Sequence, residues 1–191
     1  YGGQILLPDA NGRRINRLML EEVDGQYQGA CTVWINDNGL RSGNNRVCFS
    51  PDNRTLYVGQ TSRGWGPIAE GVQRIAWNGK VPFDVLRMVL TRRGFQLDFT
   101  QPLPNEKIEL KNFKLKSYHY QDTSIYGGEK LDVTEVEIIG LKRVGDRSLE
   151  LQVPSLKGDG MVYELSVDVK GAKGNALLSQ IFCYTINRLK P

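Results

Sequence analysis

The chain has 191 residues, of which 40% are hydrophobic and 24% charged, with a formal net charge of +4. That apolar share is normal for a globular protein and enough to build a core, and the length allows one large or two modest domains. The basic residues are spread mostly singly among acids, which leaves no nucleic-acid stripe, and no apolar run approaches the roughly 20 residues that span a membrane.

The first predicted strand is the run Ile5-Leu6-Leu7, followed by the turn Pro8-Asp9-Ala10-Asn11-Gly12, and residues 15–20 form the next. Residues 44–60 read as strand, turn, strand. Arg46-Val47-Cys48-Phe49 is short, apolar and β-prone. In Ser50-Pro51-Asp52-Asn53 the proline presets φ while Asp and Asn bond their own backbone, and Leu56-Tyr57-Val58 returns. A tryptophan-glycine turn, Trp65-Gly66, leads to a third strand at 72–77. Short antiparallel strands joined with Gly and an aromatic at the junction are how a β-propeller blade is written. About half the chain has this character, too little to close a propeller.

Several strings in this stretch resemble the end of the glucose/sorbosone dehydrogenase-like propellers. They are Val23-Asp24-Gly25-Gln26-Tyr27-Gln28-Gly29-Ala30-Cys31, Gly39-Leu40-Arg41-Ser42-Gly43-Asn44-Asn45-Arg46, Tyr57-Val58-Gly59-Gln60-Thr61-Ser62-Arg63-Gly64-Trp65-Gly66, Gly71-Val72-Gln73-Arg74 and Trp77-Asn78-Gly79-Lys80-Val81-Pro82-Phe83. The resemblance covers residues 22–83 and continues more loosely to the C-terminus, where that family carries an Ig-like sandwich. It implies a secreted or periplasmic bacterial protein of a kind often fused to cytochrome c or blue-copper modules. The chain opens on Tyr1 and shows no signal peptide, so the expectation is that a preceding segment was removed or lies outside this chain.

Near residue 88 the pattern changes. Gly94-Phe95-Gln96-Leu97-Asp98-Phe99-Thr100 alternates apolar and polar, as a half-buried strand does, and 113–120 alternates until its end. Residues 133–144, 148–153, 162–169 and 180–187 supply four more strands, punctuated by Pro102, Pro104, Pro154, Gly158 and Gly160. The best helix candidate is 105–111, one or two turns capped by Asn105. Strands at this spacing argue for a sandwich of about a hundred residues. The strings Leu97-Asp98-Phe99-Thr100-Gln101-Pro102-Leu103, Tyr163-Glu164-Leu165-Ser166-Val167 and Gly171-Ala172-Lys173-Gly174-Asn175-Ala176-Leu177 resemble bacterial Ig-like domains, whose last loop is a tight Gly/Asn turn; Gly171 and Gly174 offer positive φ there. The fold expectation is therefore all-β: propeller blades over 1–88 and an Ig-like β-sandwich over 89–191.

Chemistry-bearing residues are sparse. The cysteines are Cys31, Cys48 and Cys183, with no CxxC or CxxCH spacing, which excludes a zinc ribbon or an attached c-type haem within the chain. Cys31 and Cys48 could meet across neighbouring strands in an oxidising compartment; the plainer reading makes all three small buried hydrophobes. His119 is the only histidine and reads as a surface or edge residue. The sugar dehydrogenases of the resembling family use a histidine base, basic residues that bind a quinone, and calcium; no residue here matches that base, so no catalytic residue is carried over. Pyrroloquinoline quinone (PQQ) and calcium belong only to a full-length protein. The ligand-binding candidates are Arg63, a planar fork for carboxylate or phosphate, and Trp65, a stacking face for a sugar or quinone ring, with Arg41 and Arg46 as a second polar loop. The preferred reading is that Trp65 plugs between blades and that the arginines pair with neighbours. Glu21, Glu22 and Asp24 could bind calcium but lack the spacing of a calcium loop, so a solvated turn is the default.

Three functional readings remain. In the first, the chain is the non-catalytic end of a periplasmic dehydrogenase-like protein, acting as an assembly or interaction module in a larger complex, for example one of electron carriers. Alternatively it is the tail of a quinone-dependent sugar or aldehyde dehydrogenase whose active site lies mainly in missing blades. Or it is a carbohydrate-binding β-module with Tyr118, Tyr120 and Tyr126 as platform. The expected partners are missing blades, another copy or a protein, without nucleic acid.

Overall fold

The computed structural model describes residues 1–62, 70–124 and 127–191. It is all-β. In chain order the strands are β1 (Ile5–Pro8), β2 (Arg14–Val23), β3 (Gln26–Asn36), β4 (Asn44–Phe49), β5 (Thr55–Gln60), β6 (Gly71–Ala76), β7 (Val85–Thr91), β8 (Gly94–Phe99), β9 (Phe113–Tyr120), β10 (Lys130–Val136), β11 (Gly140–Gly145), β12 (Ser148–Gln152), β13 (Met161–Val167) and β14 (Ile181–Ile186). They make three open sheets, ordered β1-β2-β3-β14-β13-β9-β10, β11-β12-β8-β7 and β4-β5-β6. No helix among the described residues is long and apolar enough to cross a membrane.

Two compact units result. The first is Tyr1–Leu18 with Thr32–Val81, and the second is Met19–Cys31 with Pro82–Pro191. A single cut near residue 88 differs from this division on two counts. Residue 88 lies inside β7, and residues 19–31 join the second unit. The reason is the length of β2 and β3. Asp24 (φ 49) and Gly25 (φ 72) form a two-residue loop between them, and each strand runs on from one unit into the other.

In the first unit, β4, β5 and β6 form an antiparallel meander, as the sequence predicts. The predicted turn closes its first hairpin. Asn53 N–H donates to Ser50 O at 2.8 Å, Arg54 N–H donates to Asp52 Oδ1 at 3.1 Å, and Asn53 adopts φ 57. Among the described residues this unit's core is Ile15, Leu40, Leu56 and Val58, with Trp34, Val47 and Ile75 packed against them.

The second unit has a much larger core. Met88, Leu90, Phe95, Leu97, Phe99, Leu149 and Leu151 from β7, β8 and β12 share one cluster with Leu115, Leu165, Phe182 and Ile186 from β9, β13 and β14. Phe95 tilts against Tyr163 (centroids 5.9 Å) and Tyr184 (5.3 Å), so two sheets pack face to face. The alternation predicted for β8 is what places Phe95, Leu97 and Phe99 on this inner side.

Three local readings are corrected. Residues 133–144 are not one strand: β10 and β11 belong to different sheets, with the chain crossing at 137–139. β-prone composition persists through the crossing, so nothing in the alternation marks it. No helix forms over 105–111; a single 3₁₀ turn occupies Leu110–Asn112. A segment that short cannot repay helix nucleation, and Asn112 is held elsewhere, with its Nδ2 donating to Asp168 O at 2.8 Å. In the last loop Gly174 is left-handed (φ 74). Gly171 is not; a Cβ there would lie 2.7 Å from Asn175 Oδ1 and 3.0 Å from the Phe83 ring, so close approach requires the glycine.

Candidate functional site

In the first unit the turn between β3 and β4 passes through the left-handed region at Asp37, Asn38, Gly39 and Gly43 (φ 58, 49, 78 and 75). An amide network ties this turn to the ends of β5 and β6. Gln60, at the end of β5 and 8% exposed, donates from Nε2 to Gln73 Oε1 (2.5 Å) and to Asn44 Oδ1 (3.2 Å). Gln73 Oε1 also accepts from Arg41 N–H (2.7 Å), and its Nε2 donates to Gly39 O (3.0 Å). Asn44 is fully buried and donates to Gly12 O (3.1 Å). Beside this network lies a shallow cleft of about 230 Å³ lined by Ile35, Leu40, Gln73, Arg74 and Ile75. Amides and backbone do not titrate, so the network's chemistry is hydrogen-bond recognition and loop positioning.

The binding candidates are placed as follows. Arg41 sits on this loop, exposed, its guanidinium donating to Glu70 O at 3.2 Å. Arg46 projects outward from β4 and donates to Asn45 O and Oδ1, both at 3.1 Å. The two guanidiniums thus serve different elements. Arg63 and Trp65 lie outside the described residues.

The second unit carries a polar row on the outer face of its larger sheet. Register sets Cys31 opposite Cys183, Cys183 opposite Glu164, Glu164 opposite Lys116 and Lys116 opposite Glu135. Lys130 Nζ lies 2.6 Å from Glu164 Oε2 and 4.3 Å above the centroid of the Tyr118 ring. The Tyr118 hydroxyl donates to Glu164 Oε2 (3.4 Å) and lies 3.7 Å from Cys183 Sγ. Burial pushes the Tyr118 phenol well above its ordinary range, and the neighbouring Cys183 and Tyr120 push it further. The Glu164 carboxylate holds Lys130 protonated beyond the ordinary lysine range, against a smaller effect of burial.

Tyr118 is therefore not a free stacking platform. It is 3% exposed, with Lys130 on its face and Tyr120 edge-on (5.5 Å, 81°); Tyr120 itself is exposed, and Tyr126 lies outside the described residues. His119 is partly exposed, with Nδ1 3.6 Å from Asp132 Oδ2.

Two sequence readings are corrected here. The option that Cys31 and Cys48 meet across neighbouring strands fails, because in the described sheets β3 pairs with β2 and β14 while β4 pairs with β5. Cys31 faces Cys183, both partly covered, and Cys48 is exposed opposite Tyr57, so none of the three is the buried hydrophobe of the plainer reading. Nor does Glu21 sit in a solvated turn. Its carboxylate accepts from the Tyr184 hydroxyl (2.6 Å) and from Leu90 N–H (2.6 Å) and pairs with Lys190 Nζ (2.7 Å). Burial and this carboxylate raise the Tyr184 phenol far above its usual range. Alongside, buried Gln28 accepts from Asn187 N–H (2.9 Å) and Arg188 N–H (2.8 Å) and donates to the Tyr184 hydroxyl (3.1 Å). With Glu21's oxygens so engaged, the acidic group does not fit calcium. Among the described residues no three His, Cys, Asp or Glu side chains group as metal ligands.

No family model, curated protein or solved structure matches this chain. The likeness to the glucose/sorbosone dehydrogenase-like propellers rests on the sequence strings alone.

Proposed function

We propose that the chain is the non-catalytic C-terminal part of a periplasmic or secreted glucose/sorbosone dehydrogenase-like protein, a partial propeller followed by an Ig-like sandwich, and that it acts as an assembly module in a larger complex. The observation that carries this is the outer face of the β4-β5-β6 sheet. Register and alternation place Cys48, Tyr57, Val72 and Ala76 on it, together with Arg46, Thr55, Gly59 and Arg74. Val72 is 71% exposed and Tyr57 43%. Propeller blades bury both faces against neighbouring blades, and an exposed apolar patch with arginines has the composition of an interface core. A further blade of the same polypeptide is the occupant that fits. The amide network on the inner side supports a structural role, since it has no group that titrates.

Hydrogen exchange on the full chain tests this. The β4–β6 amides should exchange at least tenfold faster than those of β8 and β12, because without a neighbouring blade their unit closes over only a small core. Equal protection would show that the sheet is complete by itself and would end the assembly reading.

A further inference from the structure

Cys31 on β3 and Cys183 on β14 are Cα partners in the antiparallel register of the two strands. Directly opposed residues in such a pair stand roughly 4.5–5.5 Å apart at Cα and point to the same face. That separation lies within the roughly 4.4–6.8 Å over which a disulfide closes. Alternation fixes the face. The adjoining Ala30 and Tyr184 are buried, while the two cysteines are only partly covered, so solvent can reach them. Both are free thiols, and the third, Cys48, is exposed on another sheet.

We propose that Cys31 and Cys183 are a redox pair that closes to a cross-strand disulfide, clamping β3 to β14, with a small-molecule disulfide of the glutathione class as oxidant. One protein thiol loses its proton and attacks a glutathione sulfur. A mixed disulfide forms and one glutathione thiolate leaves and is protonated. The second protein thiol then loses its proton and attacks the protein-side sulfur, and the second glutathione departs. Two protein thiols and one oxidised glutathione become one protein disulfide and two reduced glutathiones. The two electrons pass from the protein sulfurs to glutathione.

The pair's surroundings set its rate and its effect. Burial raises both thiols above their ordinary range; Cys183 adds to it for Cys31, and at Cys183 the Glu164 carboxylate adds to it while the Tyr118 hydroxyl and the Lys130 ammonium oppose it. Thiolate is therefore scarce at neutral pH and closure accelerates as pH rises. Closure also joins strands from near opposite ends of the chain, a loop of about 150 residues, so oxidation should raise the melting temperature by roughly 10 °C.

The test uses the 191-residue chain carrying Cys48→Ser, which leaves only the pair. Incubate the folded protein with oxidised glutathione at about pH 8, quench with acid, alkylate under denaturing conditions and map the peptides. The expected result is loss of both thiols, a linked peptide pair containing residues 31 and 183, and a melting rise that dithiothreitol reverses. Adding Cys183→Ser should abolish the linked pair and leave Cys31 as a glutathione adduct. Survival of both free thiols overturns the proposal. So does separate glutathione on each cysteine, or a link that forms only in denaturant.

Discussion

Glu21 should be one of the more costly side chains to remove from the second unit. In Glu21→Ala, Leu90 N–H and the Tyr184 hydroxyl both lose their acceptor, and both residues are almost fully buried. A buried donor left unsatisfied costs about 1–3 kcal/mol, so the pair costs about 2–6 kcal/mol, centred near 4. The Lys190 contact adds little, because its side chain is 34% exposed and such pairs contribute at most about 1 kcal/mol. In a chain of this size about 4 kcal/mol corresponds to a melting decrease of roughly 10 °C. Glu21→Gln keeps an acceptor oxygen for the two donors and loses mainly charge assistance, about 1–2 kcal/mol. Lys190→Ala should change stability by less than about 1 kcal/mol. Differential scanning calorimetry of the three variants, with Tyr184→Phe and Glu21→Ala/Tyr184→Phe completing a double-mutant cycle, reads all of this. If Glu21→Ala melts within about 2 °C of the parent, or no worse than Lys190→Ala, the carboxylate does not hold the strands and the reasoning fails.

Other expectations are equally concrete. Gly94→Ala would place a Cβ 2.0 Å from Leu151 O at φ +152, so the β8–β12 pairing must open; chemical denaturation should show a loss of about 3 kcal/mol or more. A raised phenol pKa in the folded state makes stability full below the unfolded tyrosine value of about 10 and progressively lost as pH rises above it. Tyr118 and Tyr184 both have this sign, so urea midpoints should hold steady to about pH 9 and then fall, less steeply in Tyr184→Phe. The isolated chain should not oxidise glucose or sorbosone in a dye-linked assay with added pyrroloquinoline quinone and calcium, and turnover above a no-protein blank would show that an active site has been misplaced.

The elements readable from sequence are those whose information is local. The Ser50-Pro51-Asp52-Asn53 turn and its flanking strands are specified within a dozen residues, and the inward side of β8 follows from its own alternation. The longest described strand, β3, escapes a reading by strand pattern although Asp24-Gly25 is a strong short-range hairpin signal, because its buried positions include the polar Gln28 and Thr32 and so blur the apolar alternation. Partnerships across sheets are illegible. Cys31 meets Cys183, and Glu21 meets Leu90 and Tyr184, only once β3 lies beside β14, and that register is set by non-local pairing that no window of sequence displays. Of the four binding candidates, Arg41 and Arg46 are exposed and serve different elements, and the amides that organise the loop around Arg41, Gln60 and Gln73, carry no motif.

The long β2–β3 hairpin also bears on how this chain can be cut and shuffled. Its tip, residues 19–31, supplies the second unit with Met19 and Ala30 for the core, with Glu21 and Gln28, and with the partner strand of β14. A polypeptide beginning at Pro82 would leave β14 as an open edge over Cys183, Tyr184 and Thr185, with backbone donors and acceptors ready to accept a foreign strand. Such a fragment is a candidate for donor-strand exchange. It would accept a hairpin from another molecule, and a short synthetic peptide of residues 19–31 should restore it in trans. Inheritance of the second unit as a free-standing cassette would have to carry that peptide along.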